Sequence, residues 1–292
     1  MLKNKIIAIV GPTGVGKTKL SVSLAEKLNG EIINADSMQF YKGLDIGTAK
    51  IKDDEKNGIV HHLFDIVSVN DMYTIFDYQK DSRKVIDDIN SRGKTPILCG
   101  GSGLYLRACL FDYRFNDEEK TNDFSSFSNE ELLAKCLEID SNCQIHVNNR
   151  KRLERFLNIN INQGQLVTDS KPIYDFILIG LTTDRKKLYN IIDNRVDKMI
   201  EEGLVDEVKS FYDCGIRSKA INTGIGYKEL YSYFDGDISL DEAIELIKKN
   251  SRHLAKRQYT FFNNQFDNIK WFQTDYDNFS NTINEVLKYI KG

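Results

Sequence analysis

The chain has 292 residues, of which 41% are hydrophobic and 28% are charged, and its formal net charge is −3. This length supports one large or two small globular domains, and the slightly acidic balance excludes a protein that is basic throughout while leaving room for a local basic patch. No apolar run approaches a membrane span, no secretory leader is recognised, and the five cysteines form no C-x-x-C pair, so we expect a reduced, cytoplasmic protein.

The first elements form a phosphate-binding pattern. An apolar run over 6–10 predicts a buried strand, and the apolar spacing from Leu20 to Leu28 predicts an amphipathic helix. Between them lies a loop of the form G-x-x-x-x-G-K-[ST], in the strand–loop–helix context that this motif requires. Its residues are Gly11, Pro12, Thr13, Gly14, Val15, Gly16, Lys17 and Thr18. Backbone N–H groups, the helix N-terminus and Lys17 would hold a diphosphate or triphosphate, and the Thr18 hydroxyl would bind Mg²⁺.

The next elements alternate between strands and helices. Strands are predicted over 31–35 and 95–99, an extended segment over 61–67, and helices over 73–90 and 104–110. The order β-α-β-α-β-α is typical of a parallel sheet with crossover helices. We therefore predict an α/β fold, a parallel sheet of the P-loop NTPase-like type.

The region 108–170 departs from this alternation. Its first part is polar and has little periodicity, and short helices are then predicted over 130–137 and 149–157. We predict a small helical insertion domain over 108–170, within a core formed by 1–107 and 171–292. The core resumes with a strand over 173–181, helices over 188–202, 204–214 and 240–263, and a last strand over 267–272. Between 214 and 240, a turn over 224–228 is predicted to enter a further helix.

Two strand ends carry polar residues suited to chemistry. Asp36 follows the second strand, and ligands in open α/β sheets lie beyond the carboxyl ends of strands, so Asp36 is either a general base or substrate anchor or only a turn residue. The third strand runs into the glycine-rich segment 100–103 instead of the Mg²⁺-binding carboxylate usual in phosphate-loop ATPases and GTPases. That favours a small transferase or kinase over a motor or switch. Ser102 would bind a phosphate or a base, or would cap a helix.

Arg195 lies on a predicted helix, where a core-facing guanidinium would stabilise charge on a leaving group. A surface position paired with Asp193 or Glu202 is the favoured interpretation from sequence alone. The adjacent His61 and His62 lack further ligands at metal-binding spacing, so no metal site is expected there.

Two clusters of basic residues stand out in this acidic chain. One comprises Lys151, Arg152 and Arg155 together with Arg150; the other lies within 248–257 and is followed by aromatic residues. In the second, positions three to four apart share a helix face. These positions are Lys249, Arg252, Lys256 and Tyr259. The pattern fits either an RNA-binding face or a solvated face paired with acidic residues.

Seven stretches in order resemble the tRNA dimethylallyltransferases. They are the phosphate loop, NADSMQFYKGLDIGTAK (34–50), HHLFDI (61–66), PILCGGSGLYLRA (96–108), RVDKMIEEGLVDEV (195–208), GIGYKELYSYFDG (224–236) and SRHLAKRQYTFF (251–262). The resemblance covers nearly the whole chain. It implies an enzyme that transfers a dimethylallyl group from dimethylallyl diphosphate to N6 of adenosine 37 in tRNA, releasing diphosphate.

The resemblance also implies roles for individual residues. The phosphate loop would bind the donor, Lys17, Thr13, Arg195 and Mg²⁺ at Thr18 would act on its diphosphate, and Asp36 would be the general base. The positions expected to contact tRNA are Asp36, Ser37, Met38, Gln39, Ser102, Lys151, Arg152, Arg155, Arg252, Lys256 and Arg257. The insertion would close on the anticodon stem, and we expect a monomer without a protein partner.

Three alternatives remain from the sequence. An adenylate isopentenyltransferase shares the phosphate loop and the Asp, but acts on free AMP or ATP. A small-molecule kinase would use ATP at the same loop. A non-catalytic RNA-binding paralogue would bind tRNA without turnover, and differences from the family pattern at the RNA-facing positions keep this alternative open.

Overall fold

A six-stranded parallel sheet organises the computed structural model, which describes residues 5–113, 122–161 and 171–292. The strands are β1 (Ile6–Val10), β2 (Gly30–Asn34), β3 (His61–His62), β4 (Thr95–Cys99), β5 (Phe176–Thr182) and β6 (Lys270–Gln273). Their order is β3-β2-β4-β1-β5-β6, and Ile7 of β1 pairs with Ile97 of β4 and Ile177 of β5. The parallel sheet with crossover helices confirms the predicted fold class.

Helices connect and cover the strands. They are α1 (Lys17–Leu28), α2 (Ile75–Ser91), α3 (Gly103–Leu110), α4 (Asn129–Ile139), α5 (Arg150–Ile161), α6 (Arg185–Glu201), α7 (Leu204–Asp213), α8 (Lys219–Thr223), α9 (Tyr227–Phe234), α10 (Leu240–Gln265) and α11 (Phe279–Lys291). A 3-10 helix spans Asp53–Lys56. Hydroxyl side chains cap several N-termini; for example, Ser239 accepts a hydrogen bond from the Glu242 N–H at the start of α10. Within the described chain, no helix is long and apolar enough to cross a membrane.

The sheet is buried because its central strands are apolar on both faces. All five residues of β1 are buried, as expected for a parallel strand covered by helices above and below. One apolar cluster joins the sheet to α1, α6 and α11, and a second joins α7, α9 and the first half of α10. The strands β1, β2 and β4, whose carboxyl ends carry the site residues, are therefore packed within the hydrophobic core.

A buried charge cluster fixes the opposite end of β2. Glu31 is 2% exposed and accepts two hydrogen bonds from Arg92, at 2.6 and 2.7 Å, and one from Lys94 at 2.6 Å. His62 of β3 lies 2.7 Å from the same carboxylate. Hydrogen bonds from Arg92 are the main reason that the pKa of Glu31 lies well below its usual range.

The chain divides into two compact units, Met1–Leu110 with Ile173–Gly292, and Phe111–Pro172. In the second unit, α4 and α5 pack through Leu132, Cys136, Leu153 and Leu157. Its two ends meet in an antiparallel bridge between Phe111 and Pro172. The predicted insertion, 108–170, also includes 114–121 and 162–170, which lie outside the described residues.

Several predicted bounds were wrong for local reasons. The extended segment over 61–67 contributes only His61–His62 to the sheet, because Leu63 and Asp65 have positive φ angles of 62° and 54° that break a strand. β5 begins at Phe176 rather than at 173, and β6 begins at Lys270 rather than at 267. The helices α8 and α11 were not predicted.

Candidate active site

The phosphate loop lies between β1 and α1, as its motif predicts. Gly16 sits at the N-cap of α1 with φ of 96°, a left-handed conformation that favours glycine. A methyl group there would also lie 2.7 Å from the Phe279 ring of α11. Thr274, which follows β6, also holds the loop, because its hydroxyl donates to Val15 O at 2.9 Å. The loop backbone is therefore held by the C-terminal elements of the chain.

Lys17 lies inside the curve of this loop. Its Nζ donates to the carbonyl oxygens of Gly11 at 3.0 Å and Pro12 at 2.7 Å. Burial lowers the pKa of Lys17 to about 8, and the nearby Cys99 and Asp36 partly oppose that effect. A cation in this position is available to an anion that reaches the loop N–H groups.

Asp36 follows β2 and is held by hydrogen bonds to residues two positions before and after it. Its N–H donates to Asn34 Oδ1 at 2.8 Å, and its Oδ1 accepts from the Met38 N–H at 3.1 Å. Among the described residues, none donates a hydrogen bond to Oδ2. Asp36 therefore forms the turn that the simpler interpretation predicted, and one carboxylate oxygen remains available to a ligand.

The loop after β4 is tied to the segment after β2. Ser102 Oγ accepts from the Ser37 N–H at 3.0 Å, and the Ser102 N–H donates to Ala35 O at 3.1 Å. Gln39 Nε2 donates to Thr48 O at 3.0 Å. Ser102 thus binds the segment after β2 at Ala35 and Ser37, besides preceding the first turn of α3.

Arg195 faces the phosphate loop, so the favoured surface position was wrong. Its Nη1 donates to Thr13 Oγ1 at 3.2 Å, and burial is the main reason that its pKa is lowered. Asp193 instead pairs with Arg252 at 2.5 Å, and Glu202 pairs with Lys52 at 3.2 Å. Burial of this guanidinium beside Thr13 fits a role on an anionic ligand.

One cavity of about 1530 Å³ brings most of these groups together. Its walls include Thr13, Lys17, Asp36, Ser102, Arg195 and Arg257. Ser37, Met38, Gln39 and residues 14–18 of the phosphate loop line the same space. The cavity therefore brings two cationic side chains, Lys17 and Arg195, and the carboxylate of Asp36 to one space.

The basic residues of α10 do not form one surface. Arg257 lines the large cavity, whereas Lys256 lines a separate cavity of about 340 Å³ and Arg252 is paired with Asp193. Tyr259, predicted to share their face, lies 2.7 Å from the Thr182 hydroxyl. Of the predicted stripe, Lys256 and Tyr259 line the smaller cavity together and Arg252 is in an ion pair, whereas Arg257 at the large cavity was not part of the stripe.

In the second unit, α5 carries the other basic cluster. Lys151, Arg152 and Arg155 are exposed. Arg150 has a different environment, because it donates to Phe127 O at 2.8 Å and to Phe124 O at 2.7 Å. The three exposed residues remain predictions as tRNA contacts.

Two residues that organise the site were not singled out from the sequence. Gln258 of α10 hydrogen-bonds both the phosphate loop and the loop after β4. Glu207 accepts hydrogen bonds from the N–H groups of residues 45–47, and from the Tyr227 hydroxyl at 2.5 Å. Both lie within the stretches quoted above, but their partners are mostly backbone groups far away in sequence. No local pattern identifies such contacts.

No group of three or more His, Cys, Asp or Glu side chains in the described part of the chain could hold a metal ion. The exposed Thr18, at the start of α1, offers a hydroxyl beside the phosphate loop. That donor set suits a cation held largely by phosphate oxygens and water, the coordination that Mg²⁺ prefers with phosphate substrates.

Comparison with known proteins confirms the resemblance drawn from the motifs. A family model described as IPP transferase matches residues 39–265. A tRNA dimethylallyltransferase of Anoxybacillus flavithermus is 46% identical over 99% of this chain and 96% of its own length. The crystal structure of tRNA isopentenylpyrophosphate transferase from Bacillus halodurans is 42% identical, with a TM-score of 0.78 over 99% of this chain and 96% of that chain.

A more distant solved structure extends the comparison. It is a eukaryotic dimethylallyltransferase acting on tRNA, 28% identical, with a TM-score of 0.79 over 99% of this chain and 80% of that chain. Sequence motifs, fold and full-length similarity agree, and the chain belongs to the IPP transferase family.

Proposed function

We propose that this protein transfers a dimethylallyl group from dimethylallyl diphosphate to N6 of adenosine 37 in tRNA, releasing diphosphate. The observation that carries the proposal is a single cavity lined by both the phosphate loop and Asp36, which has one carboxylate oxygen available. The relatives described above are named for dimethylallyl transfer and for tRNA. Because tRNA is the acceptor, we expect the protein to act in the cytoplasm.

The donor side stabilises the leaving group. Diphosphate takes up negative charge as the bond between the allylic carbon and its oxygen breaks. The loop N–H groups, Lys17 and Arg195 are the donors placed to meet that charge, and Thr13 contributes a hydroxyl already oriented by Arg195. These groups are held in place before the substrate binds, so little reorganisation accompanies the reaction.

The acceptor side supplies a nucleophile and a base. The N6 amine of adenine attacks the allylic carbon, the new C–N bond replaces the C–O bond, and the diphosphate departs with the electron pair. Asp36 takes the proton that the amine loses. The adenine must leave the stacked anticodon loop to reach the cavity, where Ser37, Met38, Gln39 and Ser102 would surround it.

Mg²⁺ fits the donor side. The Thr18 hydroxyl, diphosphate oxygens and water would hold the ion, which when bound supplies positive charge to the diphosphate. The kinase alternative shares this arrangement. The full-length similarity to tRNA dimethylallyltransferases favours the transferase over the kinase.

The proposed tRNA contacts are electrostatic. Exposed Lys151, Arg152 and Arg155 of α5 would meet phosphates, as would Arg257 and Lys256 of α10. Arg252 would contact the tRNA backbone while its guanidinium is held by the ion pair with Asp193. Phosphate contacts position the RNA without reading its sequence.

The test is a transfer assay with labelled dimethylallyl diphosphate and an unmodified tRNA that carries adenines at positions 36 and 37. We expect a prenylated adenosine at position 37 in the nuclease digest. Parallel reactions with AMP, and with ATP plus hydroxyl acceptors, separate the two small-molecule alternatives. Unmodified adenosine 37 after prolonged incubation with folded protein and Mg²⁺ would refute the proposal.

A further inference from the structure

Gln258 lies between the two glycine-rich loops of the site. Its Oε1 accepts a hydrogen bond from the Thr13 N–H at 2.8 Å, and its Nε2 donates to Gly101 O at 3.2 Å. The two backbone groups fix the orientation of the amide, because an N–H must donate and a carbonyl must accept. Gln258 is only 8% exposed, so its side chain satisfies both backbone groups away from bulk water.

The fit between Gln258 and the loop after β4 is close. A methyl group at Gly101 would lie 2.1 Å from Nε2 and 3.1 Å from Cδ, and its three nearest heavy atoms all belong to Gln258. Gly101 is not among the glycines with positive φ, so the backbone there does not require glycine. The space next to Gly101 is therefore shaped by this one side chain.

The two loops belong to opposite sides of the reaction. Thr13 is in the phosphate loop, where its hydroxyl also accepts from Arg195. Gly101 precedes Ser102, which accepts from the Ser37 N–H next to Asp36. Hydrogen bonds, together with the peptide link from Gly101 to Ser102, thus connect the donor side through Gln258 to the acceptor side.

We propose that Gln258 is a positioning residue that fixes the spacing between the diphosphate-binding loop and the segment that holds the acceptor base. The inference rests on the proposed function. Gln258 acts through Thr13 and Gly101, so each substrate still meets its own binding groups when Gln258 is replaced. The loss should fall on kcat rather than on either KM, because the relative placement of the reacting atoms exists only when both sides are occupied.

The first test replaces Gln258 with Met, which keeps a similar length but makes neither hydrogen bond. A misplacement of about 1 Å costs about 10²-fold in rate, and we expect a fall in kcat of that order with little change in KM for dimethylallyl diphosphate or tRNA. Asn264→Ala, at an exposed position on the same helix, is the matched control and should behave as wild type. A Gln258→Met enzyme with wild-type kcat, or with its loss confined to KM, would overturn the proposal.

A double-mutant cycle tests the contact itself. Gly101→Ala should displace the Gln258 side chain and lower kcat about as much as Gln258→Met. In a Gln258→Ala background the added methyl group has room, so Gly101→Ala should cause little further loss. Fully additive losses would show that the two positions act separately.

Amide hydrogen exchange makes the test independent of turnover. In the folded Gln258→Met protein, exchange should accelerate at the Thr13 N–H and also at the Ser37 N–H, on the other side of the site. Faster exchange at both sites would support the positioning role even if wild-type protein failed to prenylate tRNA, an outcome that would refute the proposed function alone. Unchanged exchange at Ser37 would refute the positioning role while leaving the proposed function intact.

Discussion

Replacing Asp36 with Asn should abolish most of the transfer while preserving the site. Asp36 Oδ1 accepts from the Met38 N–H at 3.1 Å, and the amide oxygen of Asn can make the same hydrogen bond. The amide nitrogen then takes the place of Oδ2, the oxygen to which none of the described residues donates a hydrogen bond. A donor would face the adenine amine where a proton acceptor is needed, so the substitution removes the base with little change in shape.

The expected magnitude follows from this geometry. Loss of a positioned general base typically lowers the rate by about 10²–10⁴-fold, which corresponds to about 3–5 kcal/mol in the activation barrier. Neither substrate loses an attractive contact with the phosphate loop. We therefore expect kcat to carry the loss and the affinity for donor to stay near that of wild type.

Single-turnover prenylation of tRNA at saturating donor measures this loss, and titration calorimetry measures donor affinity. Asp237→Asn, which changes an exposed carboxylate in the turn after α9, controls for the loss of one negative charge. Asp36→Asn protein that transfers the group at close to the wild-type rate would refute the role of Asp36 as base. So would an equal loss in the Asp237→Asn protein.

Three further predictions concern charge. Because burial lowers the pKa of Lys17 to about 8, the donor KM should rise by up to about tenfold per pH unit above that value, and Lys17→Met should show a high KM without this rise. Glu31→Gln should lower the free energy of unfolding in urea by about 3 kcal/mol at neutral pH without changing kcat. Because the pKa of Glu31 is depressed in the folded state, this difference from wild type should shrink as the pH falls below about 4.3. A difference that does not depend on pH would contradict this explanation. Changing Lys151, Arg152 and Arg155 together to Gln should weaken tRNA binding and reduce its salt dependence, whereas an unchanged salt slope would remove α5 from the interface.

The sequence was sufficient where structure depends on local patterns. The phosphate loop has its geometry because glycine spacing and the following helix are encoded within a dozen residues. Asp36 could be placed because the carboxyl ends of parallel strands lie at one edge of a sheet. The period of Phe279, Ile283, Val286 and Ile290 was also present in the sequence, and α11 could have been predicted from it.

Other features depend on which distant groups meet. Asp193 and Glu202 were both reasonable partners for Arg195 on the sequence alone. Neither pairs with it, because α6 directs Arg195 toward Thr13 of the phosphate loop. Gln258 bonds to backbone atoms, and backbone atoms carry no residue-specific signal in the sequence. Such contacts follow only from the folded chain.

The bridge between Phe111 and Pro172 has a consequence for how the chain assembles. β5 pairs with β1 although the whole second unit lies between them in the sequence. Parallel pairing of strands that are far apart in sequence forms slowly. If that unit closes first around its own core, the effective connection between β4 and β5 shortens about fivefold, which is worth about 1.5 kcal/mol in loop-closure entropy. Residues can then be added to or removed from the unit with little effect on the search for the sheet, so its length can change while the registry of β1 with β5 is kept.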